Sequence, residues 1–147
     1  MKIREAMTEN PISCVPGDTA QRAAKLMHEH NIGSLPVVSD RDSCQLVGMI
    51  TDRDLCISVI AEGLDPKTTK IESYISTNPI TCREGENLDH AERAMQEHQV
   101  RRIPVVDGDG RCIGIVSQAD LALKDKPEKV STTIAEISKP SKPASAA

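Results

Sequence analysis

The sequence predicts an α/β fold of the α+β kind: two copies of one βαββα unit, packed about a pseudo-two-fold axis. Three observations predict it: an internal repeat, the same switch of hydrophobic period in both halves, and a length at which each half alone would be marginal. The run Asn10-Pro11-Ile12-Ser13-Cys14 recurs as Asn78-Pro79-Ile80-Thr81-Cys82, an offset of 68. The same offset carries Gly17 to Gly85, Ala23 to Ala91, Met27 to Met95, Glu29-His30 to Glu97-His98 and Pro36-Val37-Val38 to Pro104-Val105-Val106. Beyond a shorter polar turn in the second copy, Gly48 corresponds to Gly114 and Asp54-Leu55 to Asp120-Leu121. Matches in one order along most of the chain mark a duplication.

Each copy is read locally in the same way. Pro11 and Pro79 bias the residues before them to extended backbone. Ile12 and Cys14 alternate with Ser13, and Ile80 and Cys82 with Thr81, which predicts a short first strand. Gly17 and Gly85 turn the chain, and Asp18 or Thr19 can cap a helix. Its apolar positions Ala20, Ala23, Ala24 and Met27 fall at helical spacing, as do Leu88, Ala91 and Met95. Residues 35–38 read as a buried strand, followed by a polar turn and a third strand over 46–50, or 112–116 in the second copy. A closing helix is expected over 54–62, with Leu55, Cys56, Val59 and Ile60 on one face and Gly63 as its stop; its counterpart runs over 120–124 and ends near Pro127. The expected organisation is a first repeat over 1–63, a connector over 64–70, a second repeat over 71–126, a short helical segment over 127–138 and a disordered tail over 139–147. Three strands and two short helices leave one sheet face uncovered. A second copy supplies the missing half of a core, as neighbours do in repeat proteins.

Composition narrows the function. The chain has 147 residues, 38% hydrophobic and 27% charged, which is the make-up of a soluble globular protein. Tyr74 is the only aromatic, so a planar ligand would be gripped by aliphatic walls and not by stacking. A net charge of −4 argues against nucleic acid, which calls for a basic surplus. No stretch approaches a membrane span, and the opening residues MKIREAMTENP have no apolar signal core. The five cysteines include no CxxC, so reduced thiols in the cytoplasm are expected.

Two equivalent motifs carry the candidate chemistry: Gly48-Met-Ile-Thr51-Asp-Arg-Asp54 and Gly114-Ile-Val-Ser117-Gln-Ala-Asp120. Each stands at a strand-to-helix junction. A helix N-terminus with open N–H groups favours a phosphate, and a carboxylate in its first turn can accept both hydroxyls of a ribose. The competing reading is a capping box, Thr51 or Ser117 as N-cap with Asp54 or Asp120 three residues on. Charge separates the copies. Val100-Arg101-Arg102-Ile103 stands where the first copy has Ile32-Gly33-Ser34-Leu35. Arginine is the natural fork for phosphate, although an exposed pair, or one bridged to Asp107 and Asp109, would also explain it. Adjacent strand residues point to opposite faces, so one of the two arginines is expected in a cleft.

The βαββα repeat, the Pro-Val-Val element and the Gly-h-h-[Thr/Ser]-x-x-Asp motif resemble tandem CBS domains, named for cystathionine β-synthase, over about residues 1 to 125. In such pairs each cleft draws its [Thr/Ser]-x-x-Asp from one repeat and its base-lining residues from the other. The resemblance therefore implies one nucleotide site from Thr51 and Asp54 with Ile80, Thr81, Cys82, Val100, Arg101 and Arg102. It implies a second from Ser117 and Asp120 with Thr8, Ile12, Ser13, Ile32, Gly33 and Ser34. The second set has no positive charge, so the first should prefer a phosphorylated ligand. The implied ligand is an adenine nucleotide, AMP before ATP, ADP, NAD or S-adenosylmethionine, with no required cofactor. The implied partners are a second copy, giving a four-CBS disc, and an unidentified downstream protein, with neither nucleic acid nor membrane.

No nucleophile–base pair accompanies Asp54 or Asp120, so no enzyme is expected. Cys14 and Cys82 are equivalent and read as small buried hydrophobes. Their alternative is a zinc or thiol site with His28, His30, His90 or His98, but no pair has zinc-finger spacing. A ligand-free module that homodimerises is the remaining alternative.

Overall fold

The structure, a computed structural model, describes residues 1–140. Of the tail expected over 139–147, residues 141–147 therefore lie outside the described residues. The chain divides into two compact units. Unit 1 comprises residues 1–9, 80–105 and the chain from 114 onward; unit 2 comprises residues 10–79 and 106–113. The division does not follow the repeat boundaries, because each repeat contributes its opening segment to the unit built mainly from the other repeat.

Unit 2 holds α2 (Ala20–His30), β2 (Ser34–Val38), β3 (Leu46–Thr51) and α3 (Asp52–Leu55), which continues as a turn of π-helix over Cys56–Ile60. It also holds a 3-10 turn over Ile71–Ser73 and β4 (Ser76–Thr77). The sheet runs β2-β3-β4, all antiparallel. The expected first strand is reduced to a parallel bridge from Cys14 to Val37, held by Cys14 N–H to the Pro36 carbonyl at 3.1 Å and Val38 N–H to the Cys14 carbonyl at 2.9 Å. Thr19, not Asp18, is the N-cap of α2: its side chain accepts from the Arg22 N–H. Asp18 instead closes the preceding turn by accepting from the Val15 N–H. The buried stripe of α2 is Ala20, Ala23, Leu26 and Met27, packed on Leu35, Val37, Ile50, Leu55, Val59 and Ile71. Ala24 faces outward, one position off that stripe.

The closing helix departs from expectation in two ways. It begins at Asp52, since Thr51 takes the cap. Cys56 and Ile60, expected inside, are exposed, Ile60 by 70%. The physical reason is spacing: Leu55 and Val59 sit one α-turn apart and turn inward, so the residue after each is rotated about 100° away. The Ala61 N–H then bonds the Cys56 carbonyl at 2.9 Å, five residues back, which widens the last turn. Gly63 ends it in the left-handed region (φ 69), as its sequence position predicts.

Unit 1 repeats the plan. Its elements are α1 (Ile3–Ala6), β1 (Thr8–Glu9), β5 (Cys82–Arg83), α4 (Leu88–His98), β6 (Arg102–Val106), β7 (Cys112–Ser117), α5 (Gln118–Lys124) and α6 (Pro127–Ser138), and its sheet order is β1-β7-β6-β5. Two of these strands reach the unit boundary, Val106 and Cys112-Ile113 being grouped with unit 2. The exchange of opening segments is symmetrical. Ile3 and Ile71, related by the repeat offset, are both fully buried. Ile3 and Arg4 bond the carbonyls of Glu86 and Glu84, while Ala20 and Ile71 bond those of Thr69 and Asp18. Strand β1 pairs with β7 as β4 pairs with β3. The segment expected over 127–138 is the three-turn α6, opened by Pro127 in its first turn. It packs on α4 through Val130, Thr133 and Ile137, and Gln96 donates to the Thr133 hydroxyl at 2.9 Å.

Candidate functional site

In unit 2 the first motif forms a complete capping box. Thr51 Oγ1 accepts from the Asp54 N–H at 3.1 Å, and Asp54 Oδ2 accepts from the Thr51 N–H at 2.9 Å. Ser34 stands opposite Thr51 in the β2–β3 ladder. The carbonyl of Gly33 accepts from the Asp52 N–H at 2.9 Å. So Gly33, Ser34, Thr51 and Asp54 form one local group at the end of the sheet. In unit 1 the second motif builds the same box: Ser117 Oγ accepts from the Asp120 N–H at 3.2 Å, and Asp120 Oδ2 from the Ser117 N–H at 2.8 Å. The Ser117 hydroxyl also donates to Asp120 Oδ2 at 2.8 Å. Here the carbonyl of Arg101 accepts from the Gln118 N–H at 2.8 Å, which fixes the arginine pair beside this turn. Arg102 opens β6 and is half-buried, whereas Arg101 is exposed.

This geometry corrects one expectation. The first turn of the unit 2 helix does not offer open N–H groups to a phosphate. Asp52 N–H goes to Gly33, Arg53 N–H to its neighbour's Asp52 Oδ1 at 2.8 Å, and Asp54 N–H to Thr51. The cap side chains and the strand before them already satisfy the donors that a helix start leaves over. What remains for a ligand is the second oxygen of each aspartate, because the bonds of Asp54 and Asp120 all run to Oδ2.

The motif glycines have a packing cause. A Cβ on Gly48 would stand 2.7 Å from the Ser76 carbonyl oxygen, and one on Gly114 would stand 2.6 Å from Met7 Sδ and 3.1 Å from the Thr8 carbonyl oxygen. Each glycine admits the strand contributed by the other repeat. Nothing in the sequence revealed that strand: only Lys2-Ile3 and Lys70-Ile71 echo each other there, and residues 8–9 and 76–77 are polar and exposed.

The remaining predicted residues divide between the units. Thr8 pairs with Ile115 in unit 1, which also carries Ile80, Thr81, Cys82 and Val100; Ile12, Ser13 and Ile32 belong to unit 2. Ile32 and Ile80 are equivalent and similarly exposed, at 38% and 37%. Cys82 is buried, and burial followed by the Glu86 charge pushes its thiol up to about 11. Burial, with Asp18 adding, pushes Cys14 up to about 12. Both thiols stay protonated near neutrality. Among the described residues no group of three His, Cys, Asp or Glu is placed to hold a metal ion, and no helix is long and apolar enough to cross a membrane.

The CBS-domain family model matches residues 3–60 and 71–125. The chain belongs to the CBS domain family. The two matched stretches are the two repeats, so this is a CBS pair. It is 39% identical over 112 residues to Hypoxic response protein 1 of Mycobacterium tuberculosis, covering 76% of each chain. A crystal structure of Hypoxic Response Protein I with two coordinated zinc ions superposes with a TM-score of 0.76 at 35% identity, covering 86% of this chain and 100% of that one. CBSX2, a CBS-pair protein of Arabidopsis thaliana, is similar in its complex with AMP: TM-score 0.71 at 27% identity, covering 83% and 93%. So is the CBS pair of protein MJ0100 in complex with 5-methylthioadenosine and S-adenosyl-L-methionine, with a TM-score of 0.74 at 31% identity, covering 84% and 94%.

Proposed function

We propose that this CBS pair is a regulatory module that binds an adenine nucleotide, AMP in preference to ATP, ADP, NAD or S-adenosylmethionine. The observation that supports it most is the aspartate of each motif, which spends one oxygen on the cap and keeps the other for a ribose hydroxyl. AMP in CBSX2 and the adenosyl ligands in MJ0100 support the same ligand class. In unit 1 Ser117 and Asp120 hold the ribose, with Arg101 and Arg102, fixed beside that turn, for the phosphate. In unit 2 Thr51 and Asp54, beside Gly33 and Ser34, serve a second ligand that carries less charge. Binding stabilises the native state by mass action, so the test is thermal unfolding across a panel of AMP, ADP, ATP, NAD, S-adenosylmethionine and adenosine. AMP should raise Tm at millimolar concentration. Asp120→Ala should abolish that rise, and Arg101→Ala with Arg102→Ala should lower the AMP response toward that of adenosine. A flat panel would overturn the reading.

The same protein acts as a homodimer. Ile57 and Leu123 are equivalent positions on the closing helices of the two repeats, exposed by 48% and 83%, with Ile60 beside the first. Apolar residues open to water at both equivalent positions suit a second copy, whose two-fold contact is self-complementary, and two CBS pairs joined in this way make a four-CBS disc. Light scattering should give twice the chain mass, falling to one chain for Ile57→Asp with Leu123→Asp. The regulated protein is a separate partner.

A further inference from the structure

Cys44 and Cys112 are distant in sequence and adjacent in unit 2. An antiparallel bridge pairs Gln45 with Arg111. It is closed by Cys112 N–H to the Cys44 carbonyl at 3.0 Å and by Leu46 N–H to the Gly110 carbonyl at 3.1 Å. Cys44 and Cys112 flank this bridge on its two strands, and the bond from the Cys112 N–H to the Cys44 carbonyl holds them opposite each other. Opposed residues of an antiparallel pair have Cα atoms about 4.5–5.5 Å apart, inside the range of about 4.4–6.8 Å that a disulfide spans. Both cysteines line one cavity of about 190 Å³, with Asn10, Pro11, Ser13 and Val38. That space lets a sulfur swing. Cys44 Sγ now donates to the Arg41 carbonyl at 3.2 Å, one weak bond to give up. The backbone holds Cys44 in place: it lies in the left-handed region (φ 53), after a turn in which Asp40 accepts from the N–H groups of Asp42 and Ser43.

The other cysteines are placed differently. Cys14 and Cys82 are buried, and Cys56 is exposed. Cys44 and Cys112 alone among the five are half-buried, within reach of a small oxidant, and paired across a bridge.

We propose that Cys44 and Cys112 form a reversible intrachain disulfide when the protein meets a peroxide. One thiolate attacks a peroxide oxygen: an S–O bond forms, the O–O bond breaks, and the released hydroxide takes up the thiol proton as water. The second thiolate attacks the resulting sulfenic sulfur, forming the S–S bond and expelling hydroxide, which takes up the second proton. Two thiols lose two electrons, and hydrogen peroxide is reduced to two waters. A dithiol reductant reverses the reaction. The bond ties the start of β7 to the turn before β3, so the redox state sets how freely that ribbon can move.

The test uses the full chain carrying Cys56→Ser, which removes the exposed competitor. After hydrogen peroxide, a non-reduced tryptic digest should contain peptide 42–53 joined to peptide 112–124, separated by reductant. Closing so long a loop should raise Tm by roughly 5–10 °C. Cys44→Ser and Cys112→Ser should each abolish both the linked peptide and the Tm rise. A linkage of Cys44 or Cys112 to any other cysteine, oxidation of the two to separate sulfinic acids, or thiols unchanged by excess peroxide would each overturn the proposal.

Discussion

Replacing Glu92 with Gln should make the protein more stable above neutrality and no different in acid. Glu92 lies on α4 with only 5% of its surface exposed. Its Oε1 and the Oδ2 of Asp125, at the end of α5, are both buried and lack a hydrogen-bond donor. Two carboxylates side by side have only acceptors to offer each other, so a proton on one supplies the missing donor. Burial first, then the hydrogen bond and charge of Asp125, push Glu92 up from 4.5 to about 7, against a smaller downward pull from Lys129. Below pH 4.5 the carboxyl is protonated in both folded and unfolded chains and contributes nothing to the pH dependence. Between 4.5 and 7 only the folded state keeps the proton, so stability falls as pH rises, by up to about 1.4 kcal/mol per unit. Above 7 the folded protein carries the whole penalty, about 2–3 kcal/mol once solvent screening is allowed for. Glu92→Gln removes the titration, and its amide can donate to Asp125. Urea unfolding followed by circular dichroism, from pH 4.5 to 8.5, should give curves that meet in acid and diverge to about 2–3 kcal/mol in favour of the variant at pH 8. Parallel curves, or a variant less stable than the parent at pH 8, would refute the assignment.

Gly48→Ala should lower stability by about 1–3 kcal/mol in the same denaturation assay, because the new methyl meets a backbone carbonyl that cannot swing aside. Gly114→Ala should cost less, since the flexible Met7 side chain is its nearest neighbour. Thr19→Ala removes the N-cap of α2 and should cost about 1 kcal/mol, largely recovered by Thr19→Ser or Thr19→Asp. Ile137→Ala should cost about 2–3 kcal/mol and speed amide hydrogen exchange in α6 before α4, since α6 is held by Val130, Thr133 and Ile137.

What the sequence made legible follows the strength of each local signal. The helices α2 and α4 carry period-3.6 apolar stripes, and both were expected within a residue or two. The buried strands β2, β3, β6 and β7 are dense in Val, Ile and Leu and were equally clear. The exchanged opening segments were not, because β1 and β4 are two-residue polar strands whose only cause is tertiary: they fill the space over Gly48 and Gly114. The carboxyl pair of Glu92 and Asp125 was likewise invisible, since nothing local distinguishes a buried glutamate on an amphipathic helix from an exposed one. Equivalent backbone details do confirm the duplication independently of residue identity. Asn10 and Asn78 both adopt positive φ (46 and 51), and so do Asn31 and Gln99 (52 and 51) at the ends of α2 and α4.

The hydrogen bonds at the two motifs also change how the [Thr/Ser]-x-x-Asp signature is to be understood. It presented two readings, a cap or a ligand site, as if one excluded the other. In the fold the cap is complete at both copies and engages the hydroxyl oxygen, the aspartate N–H and one carboxylate oxygen. A ligand that needed helix amides for its phosphate would have to break the cap, at about 1 kcal/mol or more. A ligand that needs only an acceptor for its sugar finds the remaining oxygen already oriented by the cap. Preorganisation of this kind lowers the entropy lost on binding. The cap therefore favours the nucleoside part at both copies and leaves phosphate preference to residues outside it. At those positions the repeats differ, Arg101-Arg102 against Gly33-Ser34. Asp120→Asn separates the two roles: an amide can still accept from the Ser117 N–H through its oxygen, so the fold should lose little, while a ribose hydroxyl meets an NH₂ instead of an acceptor. Stability near the parent's with the AMP-induced Tm rise lost is the expected pair of results. Loss of fold with retained response in the surviving native protein would show that the cap is the motif's whole purpose.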